Sequence, residues 1–236
     1  MLLSTPGLVL HTTPYAESSV VAKVFTRQLG VCSYLVKGVR SRAGRMKQNL
    51  FTPLCSLDMV VYDSHKGELN YIKELAPRHP AYAPDPVGNA LRFFMTEVLY
   101  KALREDEPMP ELWDYVEAVS GEWTGEGGQR KDIPIVFLLR VSHFLGIGPL
   151  DNYSAREPLF DLQEGRYVSA PTETSLSPIL STMLHDYLSM CQGIDASTYQ
   201  LSDRRSLIDA LIAYYQLHLS GFHRFSSHEI LHTILK

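Results

Sequence analysis

The first 75 residues contain five short segments rich in β-branched and aromatic residues, and no helical period long enough to connect parallel strands. These segments cover residues 7–13, 19–27, 31–37, 54–62 and 68–75. Such runs, separated by turn residues, are typical of β-strands. Strands with short connections pair antiparallel, and a small sheet avoids exposed edges by closing on itself. The pattern therefore predicts a five-stranded antiparallel barrel, either an OB-fold or a small SH3-like barrel.

A proline-rich segment ends this region, because residues 76–89 hold four prolines, which interrupt helices and strand ladders alike. Beyond it, apolar residues recur at helical spacing. A short hairpin turning at Glu164 and Gly165 interrupts the helical pattern. The sequence thus predicts a two-domain α+β protein. An OB-fold domain would occupy residues 1–79 and an α-helical domain residues 80–236, with a hairpin insertion at about 151–171.

The segment between the third and fourth predicted strands, residues 37–47, is here called the basic loop. It carries five cations and no carboxylate: Lys37, Arg40, Arg42, Arg45 and Lys47. Arginine presents forked donors that suit phosphate oxygens. Nucleic acid is the commonest polyanion that such a loop meets, although a turn kept in solution by its charge has the same composition.

Charge is divided unevenly along the chain. Residues 1–50 hold seven Lys/Arg and one acid, a net charge of +6, whereas the remainder carries −10 and the whole chain −4. The local field, more than total charge, steers a polyanion. Lys23 and Arg27 would extend the basic loop if they face the same side. Tyr34 or Phe51 would stack on bases if either lay outside the core.

An HExxH pattern occupies residues 228–232. In zinc proteases the two histidines bind the metal and the glutamate is the general base. Here only four residues follow His232, and Ser226 with Glu229 forms a capping box, which gives Glu229 a structural role. We therefore predict no catalytic residue and no metal, and no other motif indicates an enzyme.

Two predicted helices have distinctive surfaces. Glu111, Asp114 and Glu117 recur at helical spacing, which predicts a solvated acidic face. The next helix is almost wholly apolar and should be central, with Asp132 as its N-terminal cap and Arg140 as its one cation.

The cellular environment follows from what the sequence lacks. The three cysteines form no CxxC pair, which fits a reducing compartment. The N-terminus has no basic region of a signal peptide, and no apolar run is long enough to span a bilayer. We expect a cytoplasmic protein with no membrane partner.

Several motifs, in this order and spacing, resemble the RecO family of bacterial recombination mediators. They are LVL at 8–10, ESS at 17–19, FT at 25–26, Gly30, KGVRS at 37–41 and FTPL at 51–54, followed by Phe137, LG at 145–146 and SHEIL at 227–231. The resemblance implies an OB-fold followed by a helical domain. It also implies binding of single- and double-stranded DNA near the nucleoid, strand annealing, and action with RecR to load RecA on coated single strands.

The resemblance has two further implications. Many family members carry a four-cysteine zinc ribbon, but residues 151–171 contain no cysteine, so we predict a metal-free hairpin and no cofactor. Family members can also bind the acidic C-terminal tail of the single-stranded-DNA-binding protein, and the helix at 137–145 with Arg140 is a candidate for that contact. From the residues alone, a non-DNA scaffold whose basic loop grips an acidic protein remains the alternative.

Overall fold

The computed structural model describes residues 2–39, 49–62, 69–79, 85–122, 131–191 and 199–234. Contacts divide the chain into two compact units, Met1–Gly125 and Glu126–Lys236. The first unit therefore contains the barrel together with two helices that follow it. The boundary expected near residue 79 would separate the barrel from the helices, which is not the division that these contacts make. It stays a prediction.

The N-terminal strands form the predicted five-stranded closed barrel. They are β1 (Leu2–Tyr15), β2 (Ser19–Thr26), β3 (Gly30–Val36), β4 (Ser56–Tyr62) and β5 (Asn70–Pro77). Their order around the barrel is β1-β2-β3-β5-β4, and β4 pairs back to β1. The expectation of a wholly antiparallel sheet is wrong at one seam, because β3 and β5 pair in parallel. An odd number of strands cannot alternate in direction around a closed ring, so one parallel seam is unavoidable.

Closure of the barrel depends on a glycine in β1. Gly7 pairs with Thr26 of β2 and with Leu57 of β4. A Cβ added at Gly7 would lie 2.5 Å from Val24 Cγ1 and 2.6 Å from Met59 Cε, both buried core side chains. A side chain at position 7 would therefore force these two core side chains to shift.

Two helices complete the first unit, α1 (Pro86–Ala102) and α2 (Pro110–Glu122). The indole N–H of buried Trp113 in α2 donates to the carbonyl of Phe25 at 2.9 Å, which fixes α2 against β2. The segment before α2 lies against the start of β3, where Gly30 has φ +73°. A Cβ at Gly30 would lie 2.4 Å from the carbonyl oxygen of Glu107, so glycine is required there for both conformation and space.

The second unit contains four helices in the described ranges: α3 (Ile133–Phe144), α4 (Pro178–Cys191), α5 (Leu201–His218) and α6 (Ser227–Ile234). The prediction that α3 is central is confirmed, because Ile135, Phe137 and Leu138 are fully buried. Asp132 precedes α3 but its side chain makes no capping hydrogen bond. Its carboxylate instead binds Arg204 at 2.6 Å, so the capping prediction is wrong. None of the helices in the described part of the chain is long and apolar enough to cross a membrane.

The predicted hairpin is present as β6 (Leu159–Asp161) and β7 (Arg166–Val168). Its turn is organised by Asp161, whose side chain is buried. The carboxylate accepts hydrogen bonds from the N–H groups of Gln163 at 2.9 Å and Glu164 at 2.7 Å, and from the hydroxyls of Thr172 and Thr174. One buried carboxylate thus joins the turn to residues 172–174. Burial by itself would raise the pKa of Asp161, but these donors together lower it.

Candidate nucleic-acid interface

Described residues on both sides of positions 40–48 are anchored in the barrel core. On the N-terminal side Val39 is buried, and on the C-terminal side a short 3-10 turn, Asn49–Phe51, brings Phe51 into the same core cluster. Leu54 provides a second anchor. It is fully buried, and its backbone N–H donates to the carbonyl oxygen of Val9 at 2.8 Å. The barrel therefore fixes where the loop leaves and where it returns.

Of the cations expected to bind DNA, four lie outside the described residues: Arg40, Arg42, Arg45 and Lys47. Their assignment stays a prediction. Lys37 is described and exposed at the end of β3. Its ammonium lies 5.9 Å from the ring centroid of Tyr71 on β5, within the range of a cation–π contact.

Lys23 and Arg27 contact acidic groups of the same unit. The Lys23 ammonium lies 2.6 Å from Glu105 and 5.1 Å from the ring centroid of Tyr100. Arg27 makes a two-pronged contact with Asp114, at 2.8 and 2.9 Å. Hydrogen bonding between this pair raises the pKa of Arg27 and lowers that of Asp114. Any phosphate that binds these cations must compete with a carboxylate.

The register of β2 and β3 also separates these cations from the basic loop. Val20 pairs with Val36 at the end near Lys37, whereas Thr26 pairs with Gly30 at the other end. That ladder spans about 20 Å at roughly 3.3 Å per residue. Arg27 therefore lies at the far end of the ladder from Lys37, and Lys23 lies between them.

The predicted solvated acidic face of α2 is partly wrong. The side chain of Glu117 is only 14% exposed. Its carboxylate accepts from the hydroxyl of Ser56 at 2.9 Å and binds Arg78 at 3.1 Å and His79 at 2.9 Å. Asp114 is half exposed but is paired with Arg27, so two of the three acids bind cations of the same unit. The acidic helix thus neutralises part of the basic module, which the linear charge count does not reveal.

Neither aromatic residue considered for base stacking is accessible. Tyr34 is 0% exposed and Phe51 is 7% exposed, so both belong to the core. The barrel instead exposes Tyr62 and Tyr71, at the C-terminal end of β4 and near the start of β5. One sequence signal could have found them: Tyr62 and Tyr71 stand near the ends of two predicted strands that are consecutive in the chain.

In the second unit, Arg140 lies on the exposed side of α3, as expected for the one cation of an apolar helix. His228 and His232 both point towards Asp209, with Nε2 to Oδ1 distances of 3.9 and 3.5 Å. Within the described ranges, no group of three or more metal-binding side chains has the arrangement of a metal site.

Comparison with known proteins gives matches along nearly the whole chain. The family model described as Recombination protein O N terminal matches residues 1–81, and that described as Recombination protein O C terminal matches residues 83–228. The chain is 30% identical over 243 residues to a DNA repair protein RecO from Porphyromonas gingivalis, with 99% of each chain covered. It is 27% identical over 242 residues to one from Christiangramia forsetii, again with 99% coverage. A third, from Phocaeicola vulgatus, is 30% identical over 243 residues, with 98% coverage.

Proposed function

Because this chain belongs to the RecO family, whose curated relatives are named DNA repair proteins, we propose that it is a recombination mediator that binds single- and double-stranded DNA and anneals complementary strands. The observation that carries the proposal is the match of both family models, which together span residues 1–228. Its activity consists of binding and pairing strands, so no catalytic residue is assigned.

The basic loop is the primary DNA contact in this proposal. Its cations neutralise phosphates and release counterions, and such contacts carry no base information. The buried residues Val39 and Phe51 support this assignment, since they fix the two points between which residues 40–48 connect to the barrel. Lys23 and Arg27 contribute less, because Glu105 and Asp114 compete with phosphate for them. Annealing follows when two strands lie together with their charges screened and their bases free.

The protein partners proposed here are those that the resemblance to the family implies. The chain acts with RecR to load RecA on single strands coated by the single-stranded-DNA-binding protein, in the cytoplasm at the nucleoid. We assign Arg140 on α3 to the acidic tail of the coating protein, because it is an exposed cation on an otherwise apolar helix. Arginine binds a carboxylate with two parallel hydrogen bonds, which suits such a tail.

Fluorescence anisotropy with a labelled single strand tests the DNA role. With about five phosphate contacts, log K falls with log salt at a slope of about −3.5. Replacing Arg40, Arg42 and Arg45 by alanine reduces the slope to about −1.4, because about two contacts remain. A flat salt dependence of the wild-type protein contradicts the proposal.

A matched control removes three exposed cations elsewhere. Arg104, Arg156 and Arg166 are all exposed, so their replacement by alanine lowers net charge equally without touching the basic loop. We expect this variant to keep the wild-type slope. An equal loss in both triple variants means that general charge, and not the basic loop, drives binding.

The mediator role is tested by annealing and by tail binding. Complementary strands coated with their binding protein are mixed, and the wild-type chain is expected to accelerate pairing. The Arg140→Ala variant is expected to bind the tail peptide at least several-fold more weakly, whereas Arg156→Ala leaves it unchanged. Equal tail binding by all three proteins refutes the assignment of Arg140.

A further inference from the structure

An open cleft of about 980 Å³ lies at the parallel seam of the barrel. It is lined by residues of β5, by the end of β3 and by Tyr62 at the end of β4. The seam is short, because β3 and β5 pair only through Tyr34 with Asn70 and Leu35 with Tyr71. Beyond these two pairs the strands separate, and the floor of the cleft is formed by half-buried Leu35 and Ile72. Among the described residues, the cleft is lined by the ends of strands at this seam.

Two tyrosine rings line this cleft. Tyr62 and Tyr71 are each 48% exposed. Val61 pairs with Ile72 in the antiparallel ladder of β4 and β5. Tyr62 follows Val61 and Tyr71 precedes Ile72, so both rings lie at the same end of the barrel. Neighbouring exposed rings at the rim of a cleft form the kind of apolar surface that marks an interaction site. Tyrosine supplies a rigid π-face for a planar partner with little loss of conformational freedom.

Two lysines bring positive charge to the same cleft. Lys37 lies over the ring of Tyr71 and is the first cation of the basic loop. Lys73 is placed by a bulge: Val60 pairs with Glu74 but Val61 pairs with Ile72, so Lys73 is the extra residue of β5. A bulge redirects side chains, and here both Lys73 and Glu74 are exposed. Lys73 and Glu74 form a 3.5 Å pair of well-exposed side chains, which competes only weakly with another anion.

We infer that Tyr62 and Tyr71 form a stacking platform for unpaired nucleobases, with Lys37 and Lys73 holding the phosphates on either side. The inference rests on the proposed DNA-binding function and specifies its form at this cleft. Aromatic rings beside a cationic groove are the usual way in which proteins bind single strands without reading their sequence. A base inside a duplex has no free face, so this platform selects single strands, whereas the basic loop accepts both forms.

A second exposed aromatic pair makes a less suitable platform. Phe93 is 52% exposed and Tyr100 is 38% exposed, along a groove between α1 and β1. The lysine of that groove, Lys101, lies 3.8 Å from Glu97, and the nearby Lys23 lies 2.6 Å from Glu105. The side chains of Lys101 and Glu97 are only 20% and 19% exposed, whereas those of Lys73 and Glu74 are 44% and 67% exposed, so Lys101 is less available to a phosphate. The aromatic pair Phe93 and Tyr100 provides a matched control.

The experiment compares three probes: a labelled dT20 strand, a 20-mer of abasic sites with the same phosphates, and a 20-base-pair duplex. The wild-type chain is expected to bind dT20 more tightly than the abasic strand. The double variant Tyr62→Leu, Tyr71→Leu is expected to lose about 5- to 100-fold in dT20 affinity for each ring that stacks. Its abasic and duplex affinities, and its salt slope, stay at wild-type values because phosphate contacts are untouched. The double variant Tyr62→Phe, Tyr71→Phe keeps both π-faces and is expected to bind dT20 as tightly as the wild type does.

The control variant Phe93→Leu, Tyr100→Leu is expected to bind all three probes as the wild type does. The platform is refuted if the wild type binds dT20 and the abasic strand equally, if the tyrosine-to-leucine variant binds dT20 normally, or if only the control variant loses affinity. Failure of the proposed function looks different, since the wild-type chain would then bind none of the three probes.

Discussion

Asp161 is the residue on which the β6–β7 hairpin depends. Its buried carboxylate joins the β6–β7 turn to residues 172–174 through two backbone N–H groups and two threonine hydroxyls. A hydrogen bond to a charged group contributes about 1.5–3 kcal/mol. Gln163 and Glu164 are exposed, so their N–H groups can turn to water after a substitution, which favours the lower figure. Asp161→Ala loses four such bonds but also removes the cost of burying a carboxylate. We therefore expect it to lower the free energy of unfolding by about 3–4 kcal/mol.

The Asn variant separates charge from hydrogen bonding. Asp161→Asn keeps one acceptor oxygen for the turn but presents an NH₂ group to the threonines, whose hydroxyls can rotate to accept. We expect a cost of about 1–2 kcal/mol. The charge also makes a prediction about pH. The lowered pKa of Asp161 stabilises the fold above the ordinary value of 3.8, and this contribution is lost as the pH falls through the lowered pKa. The difference in free energy of unfolding between the wild type and Asp161→Asn therefore becomes smaller as the pH is lowered.

Urea denaturation of the full chain, followed by circular dichroism, measures these costs. Hydrogen exchange of a peptide covering 159–168 reports the hairpin directly. The matched control is Glu173→Gln, which removes an equal charge from an exposed position between the two threonines. The reasoning is refuted if Asp161→Ala costs less than about 1 kcal/mol, or if Glu173→Gln shifts the midpoint as much.

Three further predictions concern the scaffold, each measured as a change in the urea midpoint. Gly7→Ala places a methyl group within 2.6 Å of two core side chains and is expected to cost about 1–3 kcal/mol; an unchanged midpoint would mean that the barrel relaxes freely. Trp113→Phe leaves the buried carbonyl of Phe25 without its indole donor and is expected to cost about 1–3 kcal/mol; a cost near zero would show that α2 is not held by this bond. Burial lowers the pKa of His232, partly opposed by Asp209, so stability falls as the pH drops below about 6.5. His232→Gln should remove that loss, and an unchanged pH profile would contradict it.

The sequence predicted the barrel well because its strands are marked locally. Alternation of apolar residues in β2 and β3 and the turn residues between them specify strand positions without reference to distant parts of the chain. The hairpin at β6–β7 was found for the same reason. A closed ring of five strands already requires one parallel seam, but its location was not predicted, because the pairing of β3 with β5 joins segments separated by the whole of β4.

In the candidate site, in contrast, most of the decisive contacts join residues that are distant in the sequence. The basic loop is visible as a run of letters, but the ion pair of Arg27 with Asp114 joins residues 87 positions apart. Glu117 looked solvated because helical spacing describes a face and not what covers it. Tyr34 and Tyr71 are equally aromatic in the sequence, yet one is fully buried and the other half exposed.

The sequence by itself determined which segments are strands and helices, where cations accumulate, and which family the motifs resemble, since all of these are properties of neighbouring residues. Only the tertiary structure decided which cations are already bound by carboxylates and which rings face water. Those outcomes depend on how α2 packs on the barrel and where the five-stranded ring closes in parallel, and packing between distant segments leaves no local pattern in the chain.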